Sequence, residues 1–493
     1  MSNEPIRYDP NTGAPIYAER PSLPDIIFAW VCLLAGYAYC RVFPVVNHPL
    51  GGALYLLGLF VVATVVFLCM HKRLGWMPVA MALSALVLLP ALVLSGNPMI
   101  HFIVFTYGHL VWFYYVYATV GRPLEKGFSD LLPWDFIKAL IIMPFASLGK
   151  IFGALFVGRK SGNKTVLKIL LGVVIAVFPT VIVGALLSYD AAFVALFKKL
   201  FAFGWADFFS HLFSLLLGVP IGMYFYGIFY SSLKGKGTSF DAACCRKNMA
   251  AVRLLPRLTA LVATLPLLLV YALFFASQWE VYLSAFSGIL PSDFTAAQYA
   301  REGFFQLCAV AVINLVLIMA MQSFVRRRTE KSGWTTRILS IVFSCITLGL
   351  IATAFSKLYL YITRFGLTPK RVYAGWFMMI LAAVFLLVLL KQFFQRFRLI
   401  PSAAVVCVAL FAVLALSGSD RMIAKYNVDR YLAGTLDDVD VWAMEELGDA
   451  AIPELIRLAE ALDQKNGTDI SLFCYEDAVG KESSFITAWV ALC

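Results

Sequence analysis

The sequence predicts an all-α, polytopic integral membrane protein with about eleven transmembrane helices, one interfacial helix and a small C-terminal helical domain. Three observations predict this fold. Hydrophobic residues make up 61% of the 493 residues and charged residues only 14%, whereas soluble chains carry roughly 25% charge. The mean hydropathy is +0.82, a value that one buried core does not produce over such a length. Finally, apolar runs of roughly 17 to 25 residues, the length that crosses a bilayer, recur along the chain.

Eleven apolar runs are long enough to be transmembrane helices. They lie at 26–43, 50–70, 76–95, 99–120, 168–188, 208–231, 258–276, 303–324, 338–361, 372–390 and 400–417. A further stretch, 136–157, is apolar but is interrupted by Pro144, Gly149 and Lys150, and Lys138 lies near its start. We therefore predict an interfacial or re-entrant helix there, with a twelfth span as the alternative.

Charge divides the chain into a basic membrane domain and an acidic tail. Residues 1–418 contain 34 Lys and Arg against 14 Asp and Glu, a net charge of +20, whereas residues 419–493 contain 6 against 15, a net charge of −9. We predict a polar N-terminal leader over 1–25, a transmembrane domain over 26–418 and an acidic helical tail over 419–493. The positive charge indicates membrane topology and contact with lipid headgroups, not a nucleic-acid partner.

The loop charges predict how the chain is oriented. With a cytoplasmic N-terminus, the predicted inner loops are rich in Lys and Arg, and the outer loop between 276 and 303 is net acidic. The positive-inside rule therefore predicts a cytoplasmic N-terminus and an extracytoplasmic C-terminal tail. One outer loop breaks the rule, because it carries Lys357, Arg364, Lys370 and Arg371. Either the helix count is wrong by one, or these charges have a role at that face.

The sequence of this exceptional loop predicts a tight helix–helix corner. Gly366 can end one helix with a positive φ, Thr368 can cap the next, and Pro369 suits its first turn. The spacing of Lys357, Tyr361 and Arg364 places all three on one helical face.

Two interpretations of the corner stay open. In the first, its cations only anchor the corner. In the second, they form an outer polar cluster that pairs with acids or holds an anionic headgroup or substrate; the candidate members are Lys357, Tyr361, Arg364, Lys370, Arg371, Arg301 and Glu302. The same orientation places Asn427 and Arg430 near this face.

Three motifs in the C-terminal half resemble a known family. They are AQYAREGFFQL at 297–307, GLTPKRVYAGW at 366–376 and KYNVDRYLAG at 425–434. Together they resemble a bacterial polytopic membrane family named domain of unknown function 4173, which is akin to family 4153. The resemblance implies an integral membrane protein, and no activity comes with it.

Histidines give two weaker candidate sites. Asp207 and His211 are four residues apart and could share a metal, but a structural metal site needs four ligands, so interfacial hydrogen bonding is favoured. His101 and His109 lie on the fourth span, where interhelical hydrogen bonding is favoured over a proton relay. No complete catalytic or cofactor motif is present, and we predict no metal and no cofactor.

Small residues on the sixth span predict close helix packing. Gly218 and Gly222 form a GxxxG motif, Gly227 follows on, and Pro220 can kink the helix.

The tail contains an amphipathic segment, Val441–Leu462, which is broken at Gly448 and Pro453. It resembles one HEAT-type helical hairpin, and a single unit of that kind cannot bury its apolar face alone. We therefore expect it to pack on the rest of the tail, on the membrane domain or on a protein partner.

Three function classes are compatible with these features. The many spans favour a transporter or permease-like protein in the lipid bilayer. The alternative is a non-catalytic membrane scaffold or sensor that displays the acidic tail to a partner. A lipid-modifying enzyme has the least support, since only the outer polar cluster favours it.

Overall fold

The computed structural model describes residues 7–8, 15–16, 23–121, 123–125, 127–155, 205–234, 241–277, 304–326, 330–437 and 439–466, with single positions between 172 and 193. This part of the chain is almost entirely helical. Its strands are β1 (Arg7–Tyr8) and β2 (Pro15–Ile16), two residues each, which pair antiparallel across the turn-rich leader segment.

The helices before residue 235 are α1 (Leu23–Val42), α2 (Pro49–Cys69), α3 (Trp76–Leu88), α4 (Ala91–Leu94), α5 (Pro98–Thr119), α6 (Leu132–Ile137), α7 (Met143–Ala146), α8 (Lys150–Leu155) and α9 (Trp205–Lys234). Those after residue 240 are α10 (Ala242–Val252), α11 (Arg257–Ser277), α12 (Phe304–Phe324), α13 (Glu330–Phe365), α14 (Pro369–Phe393), α15 (Leu399–Leu416), α16 (Ser419–Leu432), α17 (Val441–Glu445) and α18 (Ile452–Asn466).

Ten helices within the described residues are long and apolar enough to cross a membrane. They are Pro24–Val42, Pro49–Cys69, Trp76–Leu94, Pro98–Thr119, Ser210–Lys234, Arg257–Ser277, Gln306–Phe324, Gly333–Phe365, Pro369–Phe393 and Leu399–Leu416. They coincide with ten of the eleven predicted runs and confirm an all-α polytopic membrane protein. The remaining run, 168–188, lies almost wholly outside the described residues.

The chain forms two compact units. Unit 1 comprises Met1–Ala82, Gly108–Pro123 and Asp135–Ser239, and unit 2 comprises Leu83–Tyr107, Leu124–Trp134 and Phe240–Cys493.

In unit 1, α1 and α9 run antiparallel. Phe28, near the start of α1, stacks edge-on against Phe229 near the end of α9, with ring centroids 4.7 Å apart. Tyr37, towards the other end of α1, lies 2.6 Å from the His211 ring nitrogen Nδ1 near the start of α9.

Glycines bring the backbones of α1 and α9 into contact. A Cβ atom at Gly222 would lie 2.7 Å from the carbonyl oxygen of Cys32, and one at Gly36 would overlap the backbone of Gly218. Such an approach is possible only where no side chain intervenes. The predicted packing face of Gly218 and Gly222 is confirmed, and Gly227 lies similarly against the backbone of Pro144.

Two helices of unit 1 share one direction. The Leu59 carbonyl accepts a hydrogen bond from Trp112, and Phe67 packs on Tyr115, so α2 and α5 run parallel. The predicted span at 168–188 lies between α8 and α9 in the sequence, almost wholly outside the described residues, and it stays a prediction.

The stretch predicted as interfacial or re-entrant is broken into short segments. The helices α6 and α7 are joined by a π-helical turn, Lys138–Ile142, and the chain then breaks at Ser147 before α8. The continuous part from Leu132 to Ala146 is about 22 Å long at 1.5 Å per residue. A bilayer core is about 30 Å thick, so this length favours the interfacial or re-entrant interpretation over a twelfth span.

In unit 2, a buried hydrogen-bonded chain joins three candidate spans. The Tyr271 hydroxyl of α11 donates to the Asn314 side-chain oxygen of α12 at 2.6 Å. The Asn314 amide donates in turn to the Thr347 hydroxyl of α13 at 2.9 Å. Such side chains hold helices together in lipid, where burial of apolar surface gives no driving force.

The corner between α13 and α14 lies at the same end of unit 2 as the tail. From the corner, α14 leads to the opposite end, and α15 returns beside it, with the Trp376 indole donating to the Leu410 carbonyl at 2.8 Å. The tail helix α16 begins at Ser419, directly after α15.

The tail differs from the predicted hairpin. Its first half forms only the five-residue α17 and a 3₁₀ turn, Gly448–Ala450. A helix this short cannot cover the apolar face of the 15-residue α18. The helix α16 covers that face instead, and Arg457 of α18 forms an ion pair with Asp429 of α16 at 2.6 Å, which raises the pKa of the arginine.

Candidate functional site

The corner has the local structure that its sequence predicts. The helix α13 ends at Phe365, and Gly366 follows with a φ of +73°, where an L side chain is strained. The Thr368 hydroxyl accepts a hydrogen bond from the Arg371 amide at 3.4 Å, which caps α14 at its N-terminus. Pro369 is the first residue of α14, where no donor is needed.

Asn427 of α16 binds the corner through both polar atoms of its carboxamide. The Leu367 amide donates to Asn427 Oδ1 at 2.7 Å, and Asn427 Nδ2 donates to the Leu367 carbonyl at 2.7 Å. The asparagine is 97% buried, since only 3% of its surface is exposed. Buried backbone groups need such partners, so these two bonds fix the corner and the tail together.

Gly366 makes this contact possible. A Cβ atom on this residue would lie 2.6 Å from Asn427 Oδ1. Glycine is therefore required here for two reasons: the positive φ and the close approach of the asparagine.

Apolar side chains of the corner and of the tail share one cluster. Leu367 and Val372 of the corner pack against a buried group in the tail: Ile423, Ala424, Val428, Val439, Met444, Leu447, Ala451, Leu455 and Leu458. Burial of these side chains adds a non-directional contribution to the two directional hydrogen bonds.

Two cations of the corner, Lys370 and Arg371, make contacts at its surface. Lys370 Nζ lies 2.8 Å from Glu446 Oε1, with side chains 81% and 49% exposed. Arg371 donates to the carbonyl oxygens of Phe365 at 2.7 Å and Gly366 at 2.6 Å, which end α13 without intrahelical partners. Its guanidinium carbon also lies 4.1 Å from the centre of the Tyr361 ring, a cation–π geometry.

Arg430 makes the matching contact from the tail. Its guanidinium donates to the Ile362 carbonyl at 3.3 Å and to the Thr435 carbonyl at 2.6 Å. The motifs at 366–376 and 425–434, which are far apart in sequence, therefore form one structure. We call it the tail mount: the corner residues 366–372 with Tyr361 and Ile362, and the tail residues that bind them.

The structure brings together only part of the predicted polar cluster. Tyr361, Lys370 and Arg371 belong to the tail mount. Lys357 is half-buried on α13, and Arg364 is exposed, with no hydrogen bond to any residue that the structure describes.

The remaining members of the predicted cluster, Arg301 and Glu302, lie outside the described residues. Pairing of the corner with Glu302 stays a prediction. The acid that pairs with Lys370 is Glu446, which no sequence signal had distinguished from the other acids of the tail.

Two of the candidate histidines make hydrogen bonds in the structure. His211 pairs with Tyr37 of α1, as the preferred interpretation predicted. His101 of α5 contacts the carbonyl of Ser95, the C-cap residue of α4, at 2.7 Å, so its bond joins the ends of two neighbouring helices. Within the described residues, no group of three or more His, Cys, Asp or Glu could hold a metal ion.

A second buried polar group lies in unit 1. The Tyr117 hydroxyl of α5 donates to Asp135 Oδ1 of α6 at 2.9 Å, and Lys138 Nζ lies 5.8 Å from the centre of the Tyr117 ring. Asp135 is 2% exposed and Lys138 is 5% exposed. Lys138 also begins the π-helical turn, a distortion often found at functional sites. The sequence did not predict this group, because the hydropathy pattern does not distinguish Tyr117 or Asp135 from neighbouring residues.

These features define a polytopic α-helical membrane protein whose C-terminal helices dock on a corner between two spans. The sequence profile of the family described as Domain of unknown function (DUF4153) matches residues 53–458, which is more than half of the chain. The protein belongs to this family. The resemblance to family 4173 stays a prediction. No curated protein and no solved structure matches the chain.

Proposed function

We propose that this protein is a membrane scaffold that holds a small acidic helical domain in a fixed orientation for a protein partner. The observation that carries the proposal is the tail mount. A tail that served only as a flexible extension would not need two buried hydrogen bonds, an ion pair and a shared apolar cluster with the membrane domain.

The exposed surface of the tail supports a partner of opposite charge. Part of its apolar surface is buried in the shared cluster, and the acids that are exposed within the described residues are Asp437, Asp440, Glu445, Glu446, Asp449 and Glu460. A basic protein surface would complement these acids, and charge complementarity of this kind favours fast and selective association. The loop charges favour an extracytoplasmic tail on a bacterial cytoplasmic membrane, so the proposal includes that location.

Site-specific photo-crosslinking in the native membrane tests the scaffold. A photoreactive residue at Asp440 or Glu445 is expected to capture a discrete protein partner. Asn427→Leu removes both hydrogen bonds to the corner and should abolish that product, because the tail is no longer held. Lys425→Gln is the matched control, since Lys425 is exposed on the same helix and makes no contact with the corner.

Hydrogen exchange on the purified full chain checks that the mount itself has been released. Amides of 419–466 should exchange about tenfold faster in Asn427→Leu than in the wild type or in Lys425→Gln. If the crosslinked product is absent from the wild type, or persists after exchange shows release, the scaffold proposal fails.

A transporter is the second candidate, and a separate observation favours it. Asp135, Lys138 and Tyr117 form a buried polar group beside a broken helix, and ionisable side chains within a membrane protein mark ion or substrate pathways. In proteoliposomes on a solid support, a pH step or a solute step should then produce a charge movement that Asp135→Asn removes. Asp449→Asn, on the exposed tail, is the control. Currents that are absent, or equal in both variants, would exclude this role for Asp135.

A further inference from the structure

A polar cavity opens at the end of unit 2 opposite the tail mount. Its volume is about 550 Å³, within the range of small-ligand sites. It lies where α12 ends, α13 begins and α14 ends, and the side chains that matter for its chemistry are Gln322, Trp334, Thr336, Arg337, Lys391 and Gln392. This cavity is independent of the tail mount and of the Asp135 group.

Arg337 is the cation that the fold leaves available to a ligand. Its guanidinium carbon lies 5.6 Å from the centre of the Trp334 ring, which orients the group. The side chain lines the cavity, is half-buried and hydrogen-bonds to no residue that the structure describes. Arginine binds phosphate oxygens with two parallel N–H groups, which makes it the preferred residue for such anions.

Lys391 contributes less, because it is already engaged. Its ammonium group donates to the Gln395 carbonyl at 3.2 Å and to the Phe397 carbonyl, and it lies 3.8 Å from Asp130 Oδ2. Among the described residues that line the cavity, the charged ones are Arg337 and Lys391, and both are cations.

A neighbouring feature adds to this preference for an anion. Gly333 lines the cavity near the start of α13, where the helix dipole favours a negative charge. Gln322 and Gln392 also line the cavity, and their amides donate to the Ser340 hydroxyl at 3.5 Å and to the Val388 carbonyl at 3.2 Å.

The cavity lies at the ends of candidate spans, where lipid headgroups are expected. Its lining belongs to the ends of three candidate spans, which finish at Phe324 and Phe393 or begin at Gly333. Trp334, on its rim, is 61% exposed, and Trp side chains are enriched at membrane interfaces.

We propose that this cavity binds a phosphate-bearing anion, with the Arg337 guanidinium as its main ligand. The phosphate could be that of an anionic lipid headgroup or of a soluble phosphate compound. Both present the same oxygens to Arg337, and binding measurements separate them.

The lipid arm uses the full-length protein in nanodiscs of phosphatidylglycerol and phosphatidylcholine, followed by native mass spectrometry. The wild type should retain phosphatidylglycerol, and Arg337→Gln should retain about tenfold less, since a charge-assisted hydrogen bond is lost. Arg337→Lys keeps the positive charge but loses the two parallel N–H donors of the guanidinium, and it should retain an intermediate amount of phosphatidylglycerol. Arg396→Gln is the matched control, because it removes the same charge from an exposed site at the same end of unit 2 and should change retention little.

The soluble arm uses the delipidated protein in detergent and inorganic phosphate or pyrophosphate as the probe, read by calorimetry. Binding that depends on Arg337, with no lipid preference, would assign the site to a soluble phosphate. Lipid retention without phosphate binding would assign it to a headgroup. The proposal is overturned if Arg337→Gln and Arg396→Gln lose equally, or if neither probe binds to a wild type of normal melting temperature.

Discussion

Where α1 meets α9, the backbones touch through glycines, and their polar contacts, Tyr37 with His211 and Arg41 with Ser210, lie near one end of the pair. At the tail mount, the contact is made instead by an asparagine, an ion pair and an apolar cluster. Between helices in lipid, apolar burial gives no driving force, so close fit must hold the pair. Where water is present, burial and directional hydrogen bonds can work together.

The α1–α9 contact and the tail mount should therefore tolerate different substitutions. The α1–α9 contact depends on close packing, so one added methyl group should disrupt it. The tail mount consists of several separate interactions, so the loss of one interaction should weaken it only in part. The following predictions test this contrast, and the largest expected effect comes first.

Gly218→Val should be the most damaging change. A Cβ atom at Gly218 would lie 2.7 Å from the backbone of Tyr37, which cannot move without separating α1 from α9. Overpacking costs about 1–3 kcal/mol or more, so we expect a lower melting temperature and little monodisperse protein in fluorescence-detected size-exclusion chromatography. Gly58→Val is the control, because a Cβ atom at Gly58 meets nothing within 4 Å. Equal stability of the two variants would contradict packing by close fit.

Gly366→Ala should be intermediate, and Gly434→Ala separates its two causes. Both glycines have a positive φ, +73° and +69°, so both substitutions introduce backbone strain of about 1–2 kcal/mol. Only at Gly366 would the new Cβ atom also lie 2.6 Å from Asn427 Oδ1, so it disturbs the two buried hydrogen bonds as well. Thermal unfolding should therefore show a larger loss for Gly366→Ala, with faster hydrogen exchange in 419–466. Similar losses would mean that strain alone explains the effect.

Lys370→Gln should have only a small effect on stability. Its ion pair with Glu446 is largely exposed, and exposed pairs contribute about 0–1 kcal/mol. A double-mutant cycle with Glu446→Gln should give a coupling energy in that range, and it should shrink as salt is raised. Arg364→Gln, on the exposed end of α13, should change stability less still. A coupling well above this range would show that the pair matters more than its exposure suggests.

The spans and the corner could be predicted because each depends on local sequence. Ten apolar runs became helices of spanning length, since twenty apolar residues have few other options in a membrane. Gly366, Thr368 and Pro369 specified the corner by their own conformational preferences.

The contacts between distant segments could not be predicted in this way. Asn427 lies 60 residues beyond Leu367, and nothing in its neighbourhood distinguishes it from an ordinary polar residue on a helix. Glu446 is one of 15 acids in residues 419–493, so its choice as the partner of Lys370 depends on the folded tail. For the same reason, the sequence left three possible partners for the HEAT-like segment, and the structure packs it on α16, within the rest of the tail.

Asn427 hydrogen-bonds to the backbone of Leu367 and not to its side chain. The two positions therefore differ in the substitutions that they can accept during evolution. Every residue except proline offers the same amide and carbonyl, so position 367 is free to vary among apolar residues that suit the cluster. Position 427 has no such freedom, because aspartate lacks the donor and glutamine is one methylene longer. Across the family, we therefore expect position 427 to be an invariant asparagine and position 367 to vary. Substitutions at the two positions should then show no covariation, although the residues are in contact.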